Sequence, residues 1–152
     1  MFKRQVLQEC ISALLILLFV YASLSKFIDW KTFYGEMHNQ PLPKSWTPFL
    51  VWIIPCTEIA ISVSLLFERT RLLAFYASLV VMGLFTIYTG VILLHFFPYI
   101  PCSCGGVIKR LTWRQHLVLN LFFVALSVVG IVIQRRKRFT QILITKNKNS
   151  FV

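Results

Sequence analysis

Residues 115–134 read QHLVLNLFFVALSVVGIVIQ, a stretch without a formal charge. At 1.5 Å of rise per residue, a helix of this length crosses the ~30 Å hydrocarbon core of a bilayer. Three similar stretches lie upstream. One is charge-free from Cys10 to Ser25 and starts near Val6. One runs from Thr47 to Phe67, broken by a single acid, Glu58. One begins at Leu72 and ends before Pro98. Their length and lack of two-residue alternation exclude a β-barrel.

Composition agrees. The 152 residues are 57% hydrophobic and 14% charged, against roughly 45–50% and about 25% in soluble domains. Mean hydropathy is +0.72. A soluble domain this small has too little interior to hide that much apolar surface. The expected fold is all-α: an integral membrane four-helix bundle with helices about 6–27, 47–67, 72–97 and 115–134. It occupies residues 1–138. Residues 139–152 read as a polar, basic tail, loosely ordered or lying on the inner leaflet, where basic residues attract anionic lipid.

The net charge of +11 does not indicate nucleic acid, because no soluble basic domain carries it. Most basic residues flank the apolar runs, where they act as a topology signal. With the N-terminus inside, the inner side holds Lys3, Arg4, Arg69, Arg71, Arg135, Arg136, Lys137, Arg138, Lys146 and Lys148. The outer side holds Lys26, Lys31, Lys44, Lys109, Arg110 and Arg114. This bias places both termini in the cytoplasm, in the inner (cytoplasmic) membrane, multi-pass. Trp30, Trp46 and Trp113 then fall at the outer boundary, where amphipathic rings prefer to sit. Val20-Tyr21-Ala22 resembles a signal-peptide cleavage site. The segment continues smoothly into Lys26-Phe27-Ile28-Asp29-Trp30, so it reads as a retained span.

Connections differ in length. Glu68 to Arg71 is a tight inner turn that makes spans two and three antiparallel neighbours. The outer segment 28–46 holds Gly35, Pro41 and Pro43 and is too polar for lipid. The outer segment 98–114 carries the most specific local motif, Pro101-Cys102-Ser103-Cys104-Gly105-Gly106. On the periplasmic side, disulfides form and persist. Cysteines two residues apart can come within bridging distance, and so small a ring is strained and labile. Lys109, Arg110 and Arg114 favour the thiolate, the attacking form. Gly105 and Gly106 allow a partner backbone to approach closely. Cys102 and Cys104 therefore read as a redox pair and Gly105 and Gly106 as partner-binding. A structural bridge, metal binding and unreactive thiols stay open. His95 and His116 flank the pair, but the spacing matches no usual zinc pattern, and no metal site is assigned.

Glu58 is the only acid deep in a span. Such groups face a bundle interior or a polar cavity. It reads either as a proton relay, with quinone contact open, or as a neutral acid hydrogen-bonded across helices. Pro55 removes one backbone donor just before it and is expected to bend the helix. His116 and Asn120, four apart, share a face with Ser127 near it; His116 is a candidate for tuning the redox pair and Asn120 a secondary one. His95 shares a face with Tyr88. Cys56 is another secondary candidate, in a relay from the pair towards Cys10. The two lie ~11 Å apart in depth, too far to bridge.

On these residues the chain resembles the MauE/DoxX-like redox-associated membrane proteins over about residues 8–135. The resemblance rests on four spans, Ser23-Leu24-Ser25-Lys26, Pro55 with Glu58, Cys102-Ser103-Cys104-Gly105-Gly106, Trp113 and Asn120. It implies a four-helix membrane bundle involved in thiol–disulfide chemistry, as in maturation of a disulfide-rich periplasmic dehydrogenase subunit. Cys102 and Cys104 match the family's paired cysteines. Many relatives place an aromatic residue where Gly105 stands here.

The resulting expectation is a membrane thiol–disulfide oxidoreductase or accessory that exchanges with a periplasmic thioredoxin-like or disulfide-containing protein. Two other classes fit the same residues: a non-catalytic scaffold that recruits a periplasmic partner, and thiolate-based copper or zinc handling. No cofactor fingerprint is present. No cofactor is expected, and a quinone has no recognisable pattern.

Overall fold

The computed structural model describes the backbone of residues 2–94 and 112–149, and side chains at 3–94 and 112–140. Every regular element among these residues is helical. They are α1 (Phe2–Ile28), α2 (Trp30–His38), a 3-10 turn (Lys44–Trp46), α3 (Thr47–Leu66), α4 (Arg71–Leu93) and α5 (Trp113–Asn149). α1, α3, α4 and α5 are long and apolar enough to cross a membrane. In lipid a helix is favoured because it satisfies its own backbone polar groups.

The four long helices form a ring. α1 packs most extensively on α3, and α4 on α5; α3 against α4 and α1 against α5 complete it. The core holds Ile11, Leu15 and Phe19 of α1, Ile61 and Leu65 of α3, Phe75 and Met82 of α4, and Phe123 and Ile131 of α5. Leu17, Phe49, Val80, Ile87 and Val118 point outward and are exposed, as a lipid-facing surface requires.

The turn between α3 and α4 is built by side chains that cover the last carbonyls of α3. Thr70 Oγ1 donates to the Ser64 carbonyl at 2.8 Å, and Arg71 Nε to the Leu65 carbonyl at 3.1 Å. A helix end would otherwise leave these acceptors unmatched. Arg71 also holds Glu9 of α1 at 2.6 Å. Gln8 and Gln134 pair across α1 and α5 in the same layer. This end of the bundle, with the α3–α4 turn, is the termini end.

At the opposite end, the segment expected as a polar loop contains α2. Its Phe33 and Met37 are buried with Val51 of α3. Trp30, Phe33 and Met37 recur at helical spacing, so α2 has one apolar face and lies on the bundle. α3 is continuous through Pro55. α5 runs on to Asn149, so the basic segment after residue 138 continues the helix.

Candidate functional site

The Cα–Cβ bond of a helical residue tilts toward the helix N-terminus. α1 and α3 run antiparallel, so Lys26, late in α1, points back into the bundle, while Glu58 in α3 points toward the α2 end. The two converge. Lys26 Nζ lies 2.6 Å from Glu58 Oε1, and the side chains are only 5% and 4% exposed. Lys26 Nζ also donates to the Ala22 carbonyl at 3.3 Å and lies 5.9 Å from the Phe33 ring centroid of α2. An ammonium carries three donors and no acceptor, and these contacts surround it.

The backbone under the pair is tied once across helices, α1 to α3, and once within α3. Ser23 Oγ donates to the Pro55 carbonyl at 3.2 Å, and Ser62 Oγ to the Glu58 carbonyl at 2.9 Å. Proline at 55 lacks the N–H that the carbonyl four residues earlier would accept; the residue is fully buried, and its carbonyl takes the bond from Ser23 of α1.

The pair borders a cavity of about 110 Å³. Phe33 and Met37 of α2, Tyr88 and Thr89 of α4, and Trp113, His116 and Asn120 of α5 complete its wall. Tyr88 hydrogen-bonds through its hydroxyl to the Gln40 side-chain oxygen, joining α4 to the segment after α2. Asn120 Nδ2 approaches Thr89 Oγ1 at 3.5 Å, and Thr89 Oγ1 donates to the Phe85 carbonyl at 2.7 Å. Two buried wall atoms, Glu58 Oε2 and His116 Nε2, have no hydrogen-bond partner among the described residues. Toward the termini end the cavity meets the apolar core of Phe19 and Met82. It is a largely apolar vestibule at one end of the bundle, with a few polar groups in its wall.

Glu58, His116 and Asn120, singled out from sequence, thus meet in one cavity. Glu58 lies beside a cation, Lys26, that the sequence reading had not paired with it. Lys26 corrects a sequence reading: counted there as an outer boundary charge, it is buried because its side chain extends inward along α1. A lone deep acid needs a compensating charge, and Lys26 is the cation whose side chain points inward from the matching end of α1. Ser127 is fully buried and donates to the Phe123 carbonyl at 2.9 Å, away from the cavity wall. Cys56 and Cys10 are exposed and unbridged, on the outside of the bundle. Cys102, Cys104, Gly105, Gly106 and His95 lie outside the described residues. The chain leaves them at Leu94 and returns at Thr112, the α4 and α5 termini on the vestibule side. No three His, Cys, Asp or Glu side chains gather as a metal set among the described residues.

At the termini end Arg71 is buried, and other charges lie outside. Lys137 Nζ lies 2.8 Å from Glu68 Oε1, and Arg138 donates to the Arg69 carbonyl at 2.7 Å. The hydrogen bond from Lys137, then its charge, holds the Glu68 carboxyl below its ordinary value.

No curated protein and no solved structure matches the chain. The family model described as methylamine utilisation protein MauE matches residues 4–133. That span takes in α3 and α4, nearly all of α1, the first part of α5 and every residue of the vestibule wall, and it makes the protein a membrane protein of the methylamine-utilisation accessory kind. The chain belongs to the MauE family.

Proposed function

We propose that the protein serves thiol–disulfide chemistry outside the cytoplasm, with Cys102 and Cys104 as the exchanging pair and a periplasmic thioredoxin-like or disulfide-containing protein as partner. In this reading it is a multi-pass inner-membrane protein with both termini cytoplasmic and the cysteine segment periplasmic. The observation that carries it is the vestibule. Its wall sets Lys26, Glu58 and His116 among apolar side chains, at the end of the bundle where the chain departs toward Cys102 and returns from Cys104. A buried carboxylate, an ammonium and an imidazole gathered in one cavity are the groups that proton-coupled chemistry uses.

Exchange proceeds by attack of one thiolate on a disulfide sulfur of the partner. A mixed disulfide forms, and the partner's other sulfur leaves as a thiolate. The second cysteine then attacks the mixed disulfide. This releases the reduced partner and closes the Cys102–Cys104 bond. Two electrons pass to the partner, and the two protons given up by Cys102 and Cys104 are taken up by its thiolates. Glu58 and His116 in the vestibule wall are titratable groups on the side of the bundle from which that segment departs. The basic residues Lys109, Arg110 and Arg114 favour the thiolate.

Thiol trapping in membranes, with and without reductant, tests the reading. The expected result is a shift of two thiols that Cys102→Ala and Cys104→Ala abolish together with function. An unchanging redox state, or full function in the alanine variants, overturns it. Partner co-purification that survives loss of both cysteines would point to a scaffold instead.

A further inference from the structure

The termini end carries a second concavity, which the thiol chemistry does not use. A groove of about 300 Å³ lies between the α3–α4 turn and α5, lined by Glu68 and Arg69 of the turn and by Gln134, Lys137 and Arg138 of α5. Small-ligand sites run from roughly 300 to 1,000 Å³. Residues 134, 137 and 138 share one helix face, so the helical course of α5 past its apolar part brings two cations to the turn. Three cations thus line the groove against one carboxylate. That carboxylate is already matched, with Lys137 Nζ 2.8 Å from Glu68 Oε1. Arg138 gives one N–H to the Arg69 carbonyl at 2.7 Å, which draws its guanidinium over the turn. A guanidinium has five such donors. Arg69 and Arg138 are both exposed, and neither pairs with an acid among the described residues. Two planar donor groups at one groove match the oxygens of a phosphate.

We propose that this groove binds the phosphate of an anionic phospholipid, with Arg69 and Arg138 as its donors and Lys137 adding its charge. The flanks favour a lipid over free phosphate. The part of α5 apolar enough to cross a membrane ends at Thr140, so Lys137 and Arg138 stand in its last turn, where a span meets the headgroups. Leu66 and Phe67, next to Glu68 in the chain, are each 61% exposed, and Phe139 of α5 is 64% exposed. Acyl chains can cover such side chains, and a free anion cannot. Glu68 works against the ligand, because Lys137 offsets its charge at the cost of its own. Arg135 is drawn aside over the Tyr76 ring, 5.4 Å from its centroid, and Arg136 does not line the groove. Diffuse attraction of a basic segment to anionic lipid counts each of these cations alike; a site counts only those in its wall. The assignment is independent of the thiol chemistry and of which membrane face the termini occupy.

The test uses the full-length protein in detergent micelles, titrated with dioleoylphosphatidylglycerol, dioleoylphosphatidylcholine or inorganic phosphate. Native mass spectrometry reads bound lipid, and thermal unfolding reads stabilisation, since a ligand of the folded state raises the midpoint. Phosphatidylglycerol should form a saturable adduct and raise the midpoint; phosphatidylcholine and inorganic phosphate should do so far less. Arg69→Gln and Arg138→Gln should each weaken phosphatidylglycerol binding about tenfold or more, the scale of one lost hydrogen bond to a charged group. Arg136→Gln makes the same change of charge outside the groove and should stay within about twofold of the wild type, because salt screens an exposed charge that makes no contact. Glu68→Gln should bind more tightly than the wild type. Circular dichroism checks that the variants keep their helices. Equal losses in Arg136→Gln and Arg138→Gln overturn the site and leave diffuse attraction alone. Equal binding of phosphatidylcholine overturns the anionic ligand, and equal stabilisation by inorganic phosphate overturns the lipid as its source.

Discussion

Lys26 Nζ and Glu58 Oε1 stand 2.6 Å apart in the interior of the bundle, each side chain almost wholly buried. In a low-dielectric interior their attraction is strong, but so is the cost of taking each ion out of water. Such a pair is therefore weak evidence for stability and stronger evidence for a site. In a membrane span, an ionisable residue that faces a cavity marks function by default. The pair also joins α1 to α3 beneath α2, so one contact both fixes the vestibule's geometry and charges its wall.

Removing one partner should cost far more than removing both. Lys26→Met strands the Glu58 carboxylate and should destabilise the protein by about 3–5 kcal/mol, the usual cost of breaking a buried pair. Lys26→Met combined with Glu58→Leu should recover most of that loss. Thermal unfolding in detergent of the two single variants and the double variant measures the coupling. A double variant as unstable as Lys26→Met would show that the ion pair is not what holds the two residues.

Close helix approach makes a second prediction, far from the vestibule. A Cβ built on Gly130 of α5 would lie 2.5 Å from Phe75 Cε1 of α4. Phe75 is fully buried and cannot swing away. Small residues at membrane helix contacts serve such approaches. Gly130→Ala should destabilise by about 1–3 kcal/mol through overpacking. Adding Phe75→Leu should recover part of the loss. Strictly additive losses in thermal unfolding would refute the contact.

The four spans were legible because hydropathy and length alone determine them, and Glu58 was legible as the lone acid in one of them. His116 and Asn120 were legible as a shared helix face. Lys26 was not grouped with them, because a count of boundary charges ignores the direction in which a helical side chain extends. α2 was hidden by Gly35 and the two prolines that follow it, which outweighed the Trp30, Phe33 and Met37 spacing. The helical course of α5 past residue 138 was masked by polarity, since its long apolar part nucleates a helix that its basic end prolongs. The cysteine pair itself lies outside the described residues, so its geometry is a matter for the thiol experiments above.

The termini end should report acid in a defined direction. Lys137 lowers the Glu68 carboxyl below its ordinary value of 4.5. Its contribution is therefore complete above that value, and falls away as pH drops through the lowered folded value. The effect is small, because Glu68 is exposed. Thermal stability measured between neutral pH and pH ~3 should show this loss in the wild type and lack it in Glu68→Gln. An identical acid profile in both proteins would assign the loss to other carboxylates.

Cys10 and Cys56 are exposed on the outside of the bundle and take no part in the vestibule wall. A thiol relay through the membrane would need them close to other sulfurs, and disulfide bridging requires Cα atoms within about 7 Å. The Cys10→Ser/Cys56→Ser variant should therefore keep full thiol-exchange activity, and it leaves Cys102 and Cys104 as the sole labelling targets. In spheroplasts of that variant, a membrane-impermeant maleimide added from outside should label both thiols after mild reduction. Labelling that appears only once the membrane is permeabilised would put the pair on the cytoplasmic face. It would reverse the orientation drawn from the basic residues, and with it the periplasmic partner. A loss of exchange on removing Cys10 and Cys56 would instead restore the relay, with lipid-facing sulfurs carrying the electrons.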